Sequence, residues 1–88
     1  MADDFWYVYL LECMDCSLYT GITNNLEKRM ENHKKGTGSK YVKAKRFKRL
    51  LYSIPVLDKS EAAKIEYFVK QLERDEKITF FVKNGKKE

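Results

Sequence analysis

Hydrophobic and polar positions change their period several times along the chain, and each change marks an element. From Phe5 to Glu12 side chains alternate, with Trp6, Val8 and Leu10 facing one way and Phe5, Tyr7, Tyr9 and Leu11 the other, strong β formers throughout. This predicts a first strand. Leu18 to Thr23 predicts a second, joined through Cys13-Met14-Asp15-Cys16-Ser17 as an antiparallel hairpin. Asn24 followed by Glu27 reads as a capping pair, and Leu26, Met30 and His33 recur at helical spacing, so a helix is expected from about Asn25 to Lys35. Gly36-Thr37-Gly38-Ser39 ends it and opens a basic loop, after which Arg49 to Ile54 reads as a short third strand closed by Pro55. Asp58 with Glu61 caps a second helix of about four turns, with Ala62, Ile65, Val69 and Leu72 on one face. Beyond Asp75, the residues Ile78, Phe80, Phe81 and Val82 suit either a helical turn or an edge strand, and residues 83–88 are expected to be a flexible tail. The order ββαβα predicts an α+β fold, a three-stranded, mainly antiparallel sheet flanked by helices. With no repeat and no linker, residues 1–88 read as a single domain with its core at about 5–76.

Composition narrows the class. A chain of 88 residues can hold one hydrophobic core of marginal stability, and 43% apolar residues with 14% aromatic are enough to fill it, which argues against disorder. No apolar run approaches the ~18 residues of a membrane helix, and the acidic Met1-Ala2-Asp3-Asp4 start lacks the features of a signal peptide, so a cytoplasmic protein is expected. Cys13 and Cys16 form a lone C-x-x-C. With His33 as the sole histidine they fall short of a structural zinc set, and a hairpin turn does not activate a redox thiol; two reduced turn cysteines are expected.

The net charge of +5 is unevenly spread. Between Asn32 and Leu57 stand eight basic residues and no acid, which leaves −3 on the rest of the chain. Segregated charge of this kind, interleaved with Tyr41 and Phe47 beside glycines, suits a polyanion: the cations neutralise phosphates and the rings stack on unpaired bases. Lys34, Lys35, Lys40, Tyr41, Lys43, Lys45 and Arg46 are the expected nucleic-acid contacts. The competing reading is a solvated loop whose lysines only maintain solubility. Segregation favours nucleic acid, DNA or RNA, without distinguishing binding from cleavage.

The chemistry-bearing candidates are Tyr9, Tyr19, Arg29, His33 and Glu66. The two tyrosines can act together only if they share a sheet face, which needs a three-residue hairpin loop or a bulge; a two-residue turn at Met14-Asp15 would put them on opposite faces. Taken singly, each tyrosine is better explained as core or sheet-edge packing than as catalysis. Arg29 and His33 are four apart and hence helix neighbours, so the guanidinium could grip a phosphate oxygen. His33 could relay protons or merely complete the apolar stripe of Leu26 and Met30. Glu66 falls at the edge of the buried stripe of the second helix, where a half-desolvated carboxylate needs a partner, either a metal or Lys70 four residues on.

Taken in order, these residues resemble the GIY-YIG endonuclease superfamily. Tyr7-Val8-Tyr9 and Tyr19-Thr20-Gly21 resemble its two half-motifs, Asn25-Leu26 with Arg29 its helix-borne arginine, and Glu61-Ala62 to Glu66 its metal-ligand helix. Tyr19 to Thr23, His33, Gly36, Lys40-Tyr41 and Lys70 further resemble a small, stand-alone, single-domain bacterial branch. The resemblance implies a divalent-metal-dependent endonuclease that hydrolyses DNA phosphodiester bonds with Mg²⁺ or Mn²⁺, structure- or single-strand-directed, in DNA repair or recombination. It also implies that Tyr9 and Tyr19 orient or deprotonate the attacking water, Arg29 binds the scissile phosphate, Glu66 holds the metal, and a protein partner directs targeting. A tyrosine base would need its pKa lowered from about 10, which Arg29 and a cation would do. Tyr7 stands where the first half-motif has glycine, Ile22 where some relatives carry lysine, and no asparagine at the end of the second helix matches the one many relatives use. The alternative functions are a non-catalytic nucleic-acid-binding module using the basic 32–57 segment and a protein-interaction domain for an acidic partner.

Overall fold

The computed structural model describes residues 5–88. Strand β1 (Trp6–Cys13) pairs with β2 (Leu18–Thr23) on one side and with β3 (Phe47–Val56) on the other, both antiparallel. The hairpin loop is the odd-length one. Cys13 N–H donates to Ser17 O at 2.8 Å, Cys16 N–H donates to Cys13 O at 2.9 Å, and Cys16 takes φ 71°, a turn closed by a left-handed residue. The register therefore sets Tyr9 opposite Gly21 and Leu11 opposite Tyr19, which puts both tyrosines on one face. Cys13 is buried and Cys16 exposed, and both are free thiols.

The sheet has four strands in the order β2-β1-β3-β4, one more than the sequence predicts. The fourth, β4 (Lys86–Lys87), lies in the segment expected to be a tail. It pairs with Tyr52 and Ser53 of β3, and Glu88 adds a backbone bond to Leu51 O and a carboxylate accepting from Ser53 Oγ. The cause is Gly85, packed so close to Ser53 O that a side chain would collide there; it turns the chain back against the β3 edge. β3 also runs past Pro55 to Val56. Pro55 is tolerated because β4 reaches only Tyr52 and Ser53, leaving that end of the outer edge without a partner strand among the described residues.

Both faces of β1 are covered, so Val8 to Cys13 are all buried. On one face Val8, Leu10, Ile54 and Val56 pack with Ala62 and Val69 of α3 (Lys59–Lys70) and Phe81 of α4 (Arg74–Asn84). On the other, Tyr9, Leu11 and Cys13 pack with Met30 of α1 (Leu26–Lys35) and Val42 of α2 (Lys40–Lys45). Register shifts between β1 and β3 fall at Leu10/Leu11 and Glu12/Cys13; the first leaves Leu51 as an extra residue, so that Leu51 and its neighbour Tyr52 pack in the same layer while Leu50 packs in the other. Asp58 caps α3 as predicted, accepting from Glu61 N–H at 2.8 Å. The cap of α1 is Asn25, one residue after the expected Asn24; its Oδ1 accepts from Lys28 N–H at 3.1 Å. The segment read as a basic loop contains α2, capped by Ser39, whose Oγ accepts from Val42 N–H at 3.1 Å. The Ile78–Val82 stretch is helical, within α4, which Glu73 and Glu76 start through a capping box.

Gly21 governs how β1 and β2 fit. A Cβ there would lie well inside van der Waals contact distance of the Tyr9 hydroxyl, so the missing side chain is what lets the Tyr9 ring extend across β2. Replacing Gly21 with Ala forces the fully buried Tyr9 off its position and is expected to cost about 1–3 kcal/mol. In thermal denaturation that should lower the midpoint by roughly 4–8 °C per kcal/mol for a domain of this size. An unchanged midpoint would show that the Tyr9 ring does not rest on this glycine.

Candidate active site

Four elements place the candidate residues. Tyr9 comes from the central strand, Tyr19 from the edge strand β2, Arg29 and His33 from α1, and Glu66 from α3. Because only two residues separate the end of β2 from the start of α1, the buried side of α1 turns back over the face that carries the tyrosines, and Met30 and His33 enter the same layer as Tyr9. The Tyr9 hydroxyl and His33 Nε2 are 2.8 Å apart, both side chains fully or nearly fully buried. Tyr19 sits with its ring centroid 6.3 Å from Tyr9 and 5.7 Å from His33. Glu66 and Lys70 reach the same place around the β2 edge: Lys70 Nζ lies 3.2 Å from Glu66 Oε2 and 5.8 Å from the centre of the Tyr19 ring.

Electrostatics separates Tyr9 from the expectation of an acidified phenol. Burial, followed by the nearby Tyr19, pushes the Tyr9 phenol well above its ordinary pKa; the charge and hydrogen bond of Arg29 oppose this without winning, and Glu66 adds to the rise. Tyr9 is thus a protonated donor. His33 is pushed down to about 4, first by burial and then by Arg29, so at neutral pH it is an uncharged imidazole able to accept the Tyr9 proton at Nε2. Its Nδ1 has no partner among the described residues.

Two contacts that the residue pattern does not announce complete the surround of His33. Phe47 stacks on the ring at 6.3 Å with planes 10° apart. Gly38 lies against the other edge, where a Cβ would come 2.5 Å from Nδ1. Gly21 could have been found from the hairpin register, since it pairs with Tyr9; Gly38 has no such signal, because its approach to His33 depends on the path of the α1–α2 turn.

Among the described residues no group of three or more His, Cys, Asp and Glu side chains could form a metal cage. Glu66 is a single carboxylate whose side chain is 23% exposed and ion-paired to Lys70. That donor set fits a hard cation that keeps its waters and takes phosphate oxygens, as Mg²⁺ does, provided Lys70 is displaced. It does not fit zinc. The candidate nucleic-acid contacts are all exposed: Lys34 and Lys35 at the end of α1, Lys40, Tyr41, Lys43 and Lys45 on α2, and Arg46 after it. Tyr41 stacks on Tyr19 with planes 24° apart, which joins the basic segment to the tyrosine site. Lys45 is held by Asp15 at 3.2 Å and, among the described residues, is the one of these drawn into an ion pair. Asn84 donates to Phe80 O on its own helix and stands apart from the site.

Comparison with known proteins shows the family of the chain. The description "GIY-YIG catalytic domain" matches residues 5–79. A UPF0213 protein of Oceanobacillus iheyensis is 49% identical over 76 residues, covering 86% of this chain and 88% of that protein. A UPF0213 protein of Clostridium perfringens is 44% identical over 82 residues, covering 93% and 88%. The solution NMR structure of a UPF0213 protein from Bacillus halodurans superimposes with a TM-score of 0.56 at 38% identity, over 92% of this chain and 86% of that one. With a catalytic-domain match spanning Phe5 to Thr79 and relatives similar over nearly their whole length, this chain belongs to the GIY-YIG family, among the small proteins of the UPF0213 group.

Proposed function

We propose that this protein is a divalent-metal-dependent endonuclease that hydrolyses DNA phosphodiester bonds, acts in the cytoplasm in repair or recombination, and is directed by a protein partner. The observation that supports this most is the convergence, at the β2 edge, of Tyr9, Tyr19, His33, Arg29 and Glu66 from four separate elements beside a basic surface. Family membership favours nuclease chemistry over the binding-module reading.

The residues divide the work by exposure. Tyr9, fully buried, does not meet bulk water; its hydroxyl donates to His33 and fixes the ring edge that faces the site. Tyr19, partly exposed on the edge strand, is the phenol an attacking water can reach. Arg29 offers a permanent positive charge to a non-bridging phosphate oxygen, with a geometry suited to bidentate contact. Glu66 would hold Mg²⁺ or Mn²⁺, which would supply charge neutralisation at the phosphoryl and leaving oxygens. Lys70, paired with Glu66 in the free protein, would then be available to a phosphate.

His33 is the sole histidine, so its protonation can be followed without ambiguity. Its pKa is lowered from 6.5 to about 4 on folding, so between those values the unfolded chain binds the extra proton and stability rises with pH. The His33 contribution is fully present above the unfolded pKa and is lost as pH falls through this window towards the folded value. The imidazole resonances in NMR should titrate near pH 4 in the folded protein and near 6.5 in denaturant; a folded midpoint near 6.5 would mean that His33 is not held neutral by burial.

The nuclease reading is tested by Glu66→Gln, which keeps shape and removes the charge. Cleavage of labelled DNA in Mg²⁺ or Mn²⁺ should drop by orders of magnitude, while binding in EDTA stays within a few fold. Asp75→Asn, on the first turn of α4 and away from the tyrosines, should leave cleavage intact. Full activity of Glu66→Gln would remove the metal-ligand assignment.

A further inference from the structure

Bordered by His33, whose Nε2 meets the Tyr9 hydroxyl, a cleft of about 470 Å³ opens between the end of α1, the α2 helix and the hairpin turn. Its cations are Lys34, Lys35, Lys43 and Arg46, all exposed. Its deeper lining is apolar and ring-bearing: Val42 is fully buried, Phe47 is partly buried, and His33, stacked on Phe47, is only 2% exposed. Met14 closes one side from the hairpin turn and is 60% exposed.

We propose that this cleft is a binding subsite for one unpaired nucleotide of the strand being cut, next to the scissile phosphate. The proposal rests on the nuclease reading for its place in the reaction. Three observations carry it. The volume lies within the range of small-molecule sites and is enough for one nucleotide. Phosphate alone would use the four cations and leave the Val42, Phe47 and Met14 surface unoccupied; a base uses both, with its ring against Phe47 or the Met14 thioether and its phosphate among the lysines. Finally, His33 belongs to both places: Nε2 meets the Tyr9 hydroxyl and the same ring borders the cleft, so a base seated there lies one side chain from the tyrosine site. A nuclease so built would favour substrates with an unpaired nucleotide at the cut, since a paired one would first have to leave its stack.

The test needs neither metal nor cleavage. ¹H–¹⁵N NMR titration of the full chain in EDTA compares thymidine 5′-monophosphate, thymidine and inorganic phosphate. The expected result is that the nucleotide shifts the amides of Gly36, Lys43 and Phe47 and the ring signals of His33, with an affinity about tenfold or more above that of phosphate. Lys43→Glu with Arg46→Glu, at exposed positions, should abolish those shifts while the rest of the spectrum shows an intact fold. Equal binding of phosphate and nucleotide would reduce the cleft to an anion site and overturn the proposal, as would shifts confined to other surfaces. Because the readout is binding in EDTA, loss of nuclease activity and loss of the nucleotide subsite are separately observable.

Discussion

The buried hydrogen bond between Tyr9 and His33 is the constraint on which the rest of this molecule depends. It joins the central strand to α1 across 24 residues of sequence, and it is made where neither partner can turn to water instead. Such a bond adds only about 0.5–1.5 kcal/mol net, but leaving one partner unpaired in the interior costs about 1–3 kcal/mol. The surroundings are shaped to keep it. Gly21 gives the Tyr9 ring room to cross β2, Gly38 gives the imidazole room against the α1–α2 turn, and Phe47 backs the ring from β3. Burial then sets the protonation states, a neutral phenol and a neutral imidazole, so the two rings hold each other in place without buried charge.

Around that uncharged centre the formal charges stand at the rim. Arg29 bears on Tyr9 from α1, and Glu66 with Lys70 reaches in from α3 on the opposite layer. The edge position of β2 makes this convergence possible, since helices on opposite faces of a sheet can present side chains to one place only by passing around an edge. The Glu66–Lys70 pair keeps the carboxylate compensated in the free protein, and Tyr41 stacked on Tyr19 carries the basic segment up to the tyrosines.

Much of this was legible in the sequence, for identifiable reasons. Period-two alternation located β1 and β2, the Asp58–Glu61 pair located α3, and the parity argument named the odd hairpin loop as the condition for the tyrosines to meet. Three features were not legible. The α2 helix has six residues and one fully buried anchor, Val42, so its period is shorter than a pattern can reveal, and lysines dominate the rest. The β4 pairing rests on backbone bonds of two lysines, which composition reads as a solvated tail. The α4 helix has Phe80 and Phe81 adjacent, facing different neighbours, which blurs helix and strand spacing. At the site, the residue types pointed to Tyr9, Tyr19, Arg29, His33 and Glu66, but the direction of the Tyr9 shift depends on burial, which only the three-dimensional arrangement supplies.

The account stands on the claim that this convergence cuts nucleic acid. The direct measurement is incubation of the purified parent protein with end-labelled single-stranded, duplex and branched DNA in Mg²⁺, Mn²⁺ or EDTA, with products resolved on a denaturing gel. The account predicts cleavage within the strands in at least one metal, none in EDTA, and faster cutting where the strand is unpaired. Binding of these substrates with no product in either metal, under any of the three DNA geometries, would contradict it and leave a nucleic-acid-binding module on a nuclease fold.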